Sequence, residues 1–174
     1  AYDRPFEDID SAGNPVSNVF TGNTRLGILD AVWKWAPNGN STRTSLTLQG
    51  EYFRRLESGS LVYDEGGQAL ADSFRSAQSG WYAQAVYKFL PEWRVGLRYD
   101  RLDVGNVNAS SNTENLYLPS YSPNRTTLMF DWAPSEYSRV RLQLAQDRAR
   151  YGLTDNQIMI QYMMSLGSHG AHGY

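Results

Sequence analysis

Residues 156–174 read NQIMIQYMMSLGSHGAHGY, and this stretch decides the fold class. Its apolar residues stand at alternate positions, Ile158, Ile160, Tyr162, Met164 and Leu166, separated by Gln157, Met159, Gln161, Met163 and Ser165. Successive side chains of a β-strand point to opposite faces, so a period of two is typical of a strand. The stretch therefore predicts a β-strand whose two faces meet different surroundings.

Six further segments repeat this alternation when the chain is followed outward from its end. They cover residues 29–35, 45–52, 81–89, 93–100, 127–132 and 139–145. A tilted strand needs roughly ten residues to cross a bilayer, which is near the length of these segments. The pattern predicts an all-β chain, and we expect an antiparallel transmembrane β-barrel.

The composition fits a barrel that crosses the membrane with strands. The chain has 174 residues, of which 41% are hydrophobic, and no run of about 18 apolar residues that could form a transmembrane helix. A barrel strand needs apolar residues on one face only, so average hydropathy stays low. Twelve Tyr and five Trp are a large aromatic content, as expected for rings at both lipid interfaces.

Charge and cysteine content bear on partners and location. A net charge of −2 gives no reason to expect nucleic acid as a partner. The chain has no cysteine, which suits an oxidising periplasm or cell surface. The chain opens at Ala1 with no charged or apolar leader, so any signal peptide has been removed or the sequence starts internally.

The connections fall into two classes. Three short ones place a proline just past a strand end: Pro37, Pro91 and Pro134. The others are longer and polar, and cover residues 56–79, 103–124 and 148–155. Short turns opposite long loops are the asymmetry of outer-membrane barrels, so we expect the proline turns to be periplasmic and the long loops extracellular.

Aromatic residues at the strand ends predict a lipid-facing girdle. Its members are Trp33, Trp35, Trp81, Phe89, Trp93, Trp132 and Tyr162. A soluble antiparallel sandwich also alternates, with its apolar face inward. The strand-end aromatics and the loop asymmetry favour the membrane barrel over that alternative.

The number of strands leaves two architectures open. Residues 1–23 are either an extracellular loop or a weak first strand, and 24–174 form the barrel strands. Single-chain bacterial barrels normally have an even number of strands. Seven strands therefore favour part of a larger barrel, with further strands from the same protein or a homo-oligomer, whereas eight leave a small complete barrel.

Longer phrases resemble known Gram-negative outer-membrane proteins. GWYAQAVYKFLPEWRVGLRYDRLD, residues 80–103, resembles a hairpin of phosphate-selective-type porins. DAVWKWAPNGN (30–40), DWAPSEYSRVRLQLAQD (131–147) and MMSLGSHGAHGY (163–174) resemble the so-called zinc-regulated TonB-dependent outer-membrane receptors. The resemblance implies a location in the Gram-negative outer membrane, with membrane lipids and the barrel-assembly machinery as partners. No plug domain or energy-coupling box is visible in these residues.

The aromatic terminus resembles the closing strand of such barrels. Tyr174 shares the parity of the apolar set and is expected to act as the barrel-assembly signal. Phe is commoner than Tyr at this place in the family. Ser168, Gly170 and His172 also interrupt the apolar run expected before it.

The opposite parity supplies residues for a water-filled lumen. The expected lining and selectivity residues are Lys34, Lys88, Arg94, Arg98, Asp100, Asp131, Arg139 and Arg141. Those cations that lie near the proline turns could form a basic belt that favours anions. In the alternative, Arg94, Arg98 and Arg141 pair with Asp100, Asp131 and Glu51 and simply fill a small lumen.

Metal binding and catalysis have little support in the sequence. His169 and His172 are weak candidates for metal ligands, because two ligands are too few for a closed site. Ser168 and His169 have no nearby acid that would orient the histidine for nucleophilic catalysis. We expect no enzyme activity and no cofactor.

The functional expectation is an outer-membrane channel or uptake receptor. It would pass small, anionic or metal-related solutes along a charged lumen. The alternative is a small closed outer-membrane barrel with an adhesion, surface-recognition or envelope-structural role.

Overall fold

The computed structural model of the chain is all-β, with eight antiparallel strands in one sheet. It describes residues 2–10, 12–116 and 120–165. The strands are β1 (Tyr2–Ile9), β2 (Pro15–Trp35), β3 (Ser45–Tyr63), β4 (Leu70–Leu90), β5 (Trp93–Asn108), β6 (Asn124–Ser135), β7 (Ser138–Arg148) and β8 (Asp155–Met164). Single 3₁₀ turns occupy Pro37–Gly39 and Ser110–Asn112.

Each strand pairs with the next strand in sequence, in the order β1 to β8. Among the described residues β1 and β8 do not pair with each other, so the sheet is not closed and these strands form its edges. No helix in the described part of the chain is long and apolar enough to span a membrane.

Six of the seven segments with alternating residues lie wholly in strands, and the seventh lies in a strand as far as Met164. Two loop predictions are wrong. Residues 56–79 were expected to form a loop, whereas β3 continues to Tyr63 and β4 begins at Leu70. Residues 103–124 were also expected to be a loop, yet β5 runs to Asn108. Serine and glycine in these segments interrupt the alternation of apolar and polar residues, although the backbone hydrogen bonds between the strands continue.

The amino-terminal residues also form strands, as the weak-first-strand alternative for 1–23 expects and the loop alternative does not. β1 pairs with the first part of β2, with Tyr2 opposite Gly22 and Ile9 opposite Pro15. Proline turns lie between β2 and β3 and between β4 and β5. Pro134 lies inside β6, beside a register irregularity between Trp132 and Ser135, where a missing N–H is tolerated.

The chain forms two compact units, which share the long strands. Unit 1 comprises Ala1–Asp30, Glu51–Trp81 and Arg101–Pro123. Its core contains Phe20, Leu61, Tyr63, Phe74, Ala109 and Leu116. The rings of Phe20 and Phe74 meet edge to face with centroids 5.4 Å apart, a favourable aromatic geometry.

Unit 2 comprises Ala31–Gly50, Tyr82–Asp100 and Asn124–Tyr174. Its described carboxy-terminal part is the ladder β6–β7–β8, in which Phe130 is opposite Leu142 and Leu142 is opposite Ile160. This register keeps the apolar positions of all three strands in phase, as one shared face requires.

Gly105 changes the parity of β5. A Cβ on Gly80 would lie 3.9 Å from the Cα of Leu102, whereas a Cβ on Gly105 would lie 3.0 Å from the Cα of Gln78, so the pairing of β4 with β5 changes by one residue between Leu102 and Gly105. Its φ of +69° is in the left-handed region, and a Cβ there would overlap the carbonyl oxygen of Ala77. A glycine with positive φ that inserts one residue is typical of a β-bulge.

We predict that Gly105→Ala lowers the free energy of unfolding by roughly 2–4 kcal/mol, because strain at positive φ adds to a backbone clash. Gly152→Ala is the matched control, since its φ is also +69° but no atom lies within 4 Å of the added Cβ. Strain alone should cost about 1 kcal/mol there. Guanidinium unfolding followed by tryptophan fluorescence measures both, and equal losses would contradict a close approach at Gly105.

Candidate functional site

The ladder β6–β7–β8 has two chemically distinct faces. One face, here called the apolar face, carries Leu128, Phe130, Trp132, Val140, Leu142, Leu144, Ile158, Ile160 and Tyr162. The other, here called the polar face, carries Thr127, Met129, Asp131, Arg139, Arg141, Gln143, Ala145, Gln157, Met159, Gln161 and Met163. The alternation read from the sequence thus becomes two continuous surfaces across three strands.

On β6 and β7 the apolar face is the more exposed one. Phe130 and Trp132 are 41% and 40% exposed, whereas Thr127 and Asp131 on the polar face of the same strand are buried. On the edge strand β8 both faces are open, since Ile160 is 75% and Met159 50% exposed. Burial of apolar surface is the main force that folds a chain in water, and large exposed apolar patches mark binding or membrane surfaces.

Asp131 is the centre of the polar face in this ladder. Arg141 donates two hydrogen bonds to its carboxylate, Nε to Oδ1 at 2.7 Å and Nη2 to Oδ2 at 2.9 Å. The Nε of Arg139 lies 4.0 Å from Oδ2 and is a buried donor without a hydrogen-bond partner in the described structure. A bidentate pair fixes both side chains, and it offsets the cost of burying the carboxylate.

A second polar group lies on β3, β4 and β5. Arg98 Nε donates to Asp100 at 2.9 Å, and its guanidinium lies 3.7 Å from the centroid of the Tyr82 ring. Gln49 donates to the Tyr82 hydroxyl at 3.0 Å and accepts from Gln84 at 2.9 Å. Polar side chains of neighbouring strands therefore form a connected network on the polar parity.

Some of the predicted lining residues form ion pairs, and others do not. Arg98 with Asp100 and Arg141 with Asp131 form the pairs that the filled-lumen alternative expects, whereas Glu51 forms no ion pair within the described residues. Lys34, Lys88 and Arg94 likewise form no ion pair in the described part of the chain, and Lys88 donates to the backbone oxygen of Ser41 at 3.3 Å. These cations are the charge that remains available to a solute.

The residues predicted for the girdle are all exposed. In unit 2, Trp93 and Trp132 stack with ring centroids 6.0 Å apart. Exposures of the seven range from 36% at Trp81 to 63% at Tyr162. Exposed rings at strand ends are the arrangement that a lipid interface stabilises.

Glu57 in unit 1 is a buried charge that the sequence analysis missed. Its side chain is 2% exposed, and its Oε1 accepts from Arg4 at 2.8 Å and from Thr24 at 3.3 Å. Arg55 lies 3.7 Å away and also donates to Gln78. The alternation of residues could have indicated this position. Glu57 continues the alternate positions of Gln49 and Glu51 into residues that were predicted to form a loop.

The carboxy-terminal candidates cannot be placed. His169, His172 and Tyr174 lie outside the described residues. Within the residues that the structure describes, no three His, Cys, Asp or Glu side chains are grouped as a metal site would require.

We predict that Asp131→Ala lowers the free energy of unfolding by roughly 2–3 kcal/mol, because it leaves Arg141 partly buried without its carboxylate. Asp100→Ala is the matched control, since Asp100 is 32% exposed and its partner Arg98 is 40% exposed. An exposed pair contributes about 1 kcal/mol or less. Guanidinium unfolding of both variants tests this, and equal costs would show that burial of Asp131 has no energetic role.

Comparison with known proteins adds one relative. No family model matches the chain, and no solved structure matches it. The chain is similar to an uncharacterized protein of Aquifex aeolicus (strain VF5), with 30% identity over 163 residues. The match covers 90% of this chain and 32% of that protein, so the chain spans about a third of the length of the relative it matches.

Proposed function

We propose that these strands form part of the wall of an outer-membrane β-barrel in a Gram-negative bacterium. The polar face would line a path for small solutes. The observation that carries the proposal is the exposure along β6, where the apolar residues Phe130 and Trp132 are exposed and Asp131 between them is buried. In lipid an exposed apolar face is stable, and buried polar groups pair on the other side.

Backbone geometry supports the same setting. Only structures that satisfy their own backbone hydrogen bonds persist in the hydrocarbon layer. An antiparallel sheet meets that requirement except at β1 and β8, the two edge strands of the described sheet. The proposal therefore includes further strands, from the same protein or from a second copy, that pair with these edges and close the barrel.

The charge of the path favours small anions. Arg98 and Arg141 are neutralised by Asp100 and Asp131, and of the predicted lining residues Lys34, Lys88 and Arg94 are cations without a carboxylate partner in the described structure. Rings of charged side chains set ion selectivity in pores. The expectation of a metal-related solute is based on the family resemblance alone.

The alternative role is that of a closed barrel in adhesion, surface recognition or envelope stability. It is favoured by the buried apolar core of unit 1, in which Leu61 and Tyr63 lie at alternate positions of β3. Apolar residues at those positions would fill an interior and leave no room for water. Such a barrel would carry no current.

We predict that, along β7 and β8, the side chains of the apolar face contact lipid and those of the polar face contact water. The chain has no cysteine, so Leu142→Cys, Gln143→Cys, Ile160→Cys and Gln161→Cys each create a single site for a spin label. In lipid vesicles, labels at 142 and 160 should collide mainly with oxygen, and labels at 143 and 161 mainly with a water-soluble nickel chelate. Labels at 142 and 160 that meet the chelate as often as their neighbours would overturn the membrane proposal.

We predict that a channel formed by the chain prefers anions in a planar bilayer. Lys34→Gln, Lys88→Gln and Arg94→Gln should each move the reversal potential towards cation selectivity, because each removes an unpaired positive charge. Arg148→Gln is the matched control, since Arg148 is exposed on the parity of the apolar face. Insertion without conductance would favour the closed barrel, and equal shifts in Arg148→Gln would contradict a charged lumen.

A further inference from the structure

Unit 1 carries three exposed arginines on the parity of the apolar residues. They are Arg25 on β2, Arg54 on β3 and Arg75 on β4. Along the same strands that parity continues to exposed Leu29, Tyr52 and Trp81. Within the described residues none of the three forms an ion pair with a carboxylate. We call these residues the arginine cluster.

Strand register brings the arginine cluster together around one leucine. A Cβ on Gly22 would lie 2.8 Å from the Cα of Gly59, so Gly22 is opposite Gly59 and, in the same register, Arg25 is opposite Leu56. Diagonal neighbours on one sheet face are roughly 7–8 Å apart. Arg25 and Arg54 therefore lie side by side, and Leu56 between them is 41% exposed.

Arg75 joins this group from the next strand. A Cβ on Gly50 would lie 4.0 Å from the Cα of Ala83, and this register of β3 with β4 puts Arg75 opposite Ser58. Leu56, Ser58 and Arg75 line one shallow depression, which Glu57, paired with Arg4, also lines. Register therefore places Leu56 next to all three arginines on this side of the sheet.

Two acidic residues on this side of unit 1 are held by neighbouring side chains. Arg101 donates to Asp103 at 3.0 Å, and Asp3 accepts from the hydroxyl of Thr21 at 2.8 Å. The arginine cluster therefore presents positive charge next to apolar and aromatic side chains. That combination suits a surface where an apolar layer ends at anionic groups.

We propose that the arginine cluster binds the phosphate groups of anionic lipid headgroups, a site that rests on the proposed membrane location. Arginine presents a planar fork of N–H donors that matches phosphate oxygens. An anionic membrane surface attracts basic residues that lie close to it. Leu56 between the guanidinium groups extends the apolar contact towards the headgroup level.

The test measures lipid selectivity of the full chain in phosphatidylcholine vesicles by electron spin resonance. Spin-labelled phosphatidylglycerol and spin-labelled phosphatidylcholine report how strongly each lipid associates with the protein. The wild-type chain should prefer the anionic lipid at least about fivefold, the effect of a single arginine near an anionic surface. In Arg25→Gln/Arg54→Gln/Arg75→Gln the ratio should fall to about one, and in the corresponding Lys variant a preference should persist.

Two controls separate this site from general charge and from loss of insertion. Arg54→Gln is compared with Arg43→Gln, which removes one exposed arginine outside the cluster, and only the first should lower the preference. The label at position 142 shows in each variant whether the strands still meet lipid. Correct insertion with unchanged selectivity overturns the lipid site alone, whereas absence of insertion in the wild-type chain overturns the membrane location and the site together.

Discussion

Strand register is the constraint on which the rest of the sheet depends. In β6–β8 a shift of β7 by one residue would turn Leu142 to the side of Asp131 and Arg141 to the side of Phe130. Three apolar side chains of β7 would then leave the apolar face, and the bidentate contact of Arg141 with Asp131 could not form. Both faces therefore select the same register, one through its uniform apolar surface and the other through a specific pair of charges.

The alternation places different kinds of side chain in the two units. In unit 2 the polar parity carries hydrogen-bonded networks such as Arg98 with Tyr82 and Asp100. In unit 1 the buried parity carries Phe20, Leu61 and Phe74, together with the charge of Glu57 held by Arg4. A charge buried among aromatic rings is costly unless it is paired, and the guanidinium of Arg4 lies 5.4 Å from the centroid of Phe20.

The sequence was sufficient for the strands with regular alternation, because residues such as 139–145 and 157–165 display their period directly. It was not sufficient for 56–63, where Ser58, Gly59 and Ser60 erase the apolar signal while pairing continues. It could not reveal the parity change at Gly105, because that change depends on one positive φ. Contacts such as Arg4 with Glu57 join residues far apart in sequence, and nothing local in either segment indicates the other.

Partners within the polar face were predictable only in part. Asp131 and Arg141 lie on adjacent segments joined by a short turn, so their meeting follows once the hairpin register is known. The arginine cluster was not predictable, because Arg25, Arg54 and Arg75 fall outside the apolar segments or in a stretch taken for a loop. Their common face follows from strands that extend further than alternation alone indicates.

The order of the strands, in which every neighbour is also the next strand in sequence, has a kinetic consequence. Each new pairing closes only the segment between consecutive strands, so the entropy lost at each step is small. Hairpins can be added one at a time, without threading one part of the chain through another. The sheet can therefore grow in the order of the sequence, each completed hairpin acting as the template for the next.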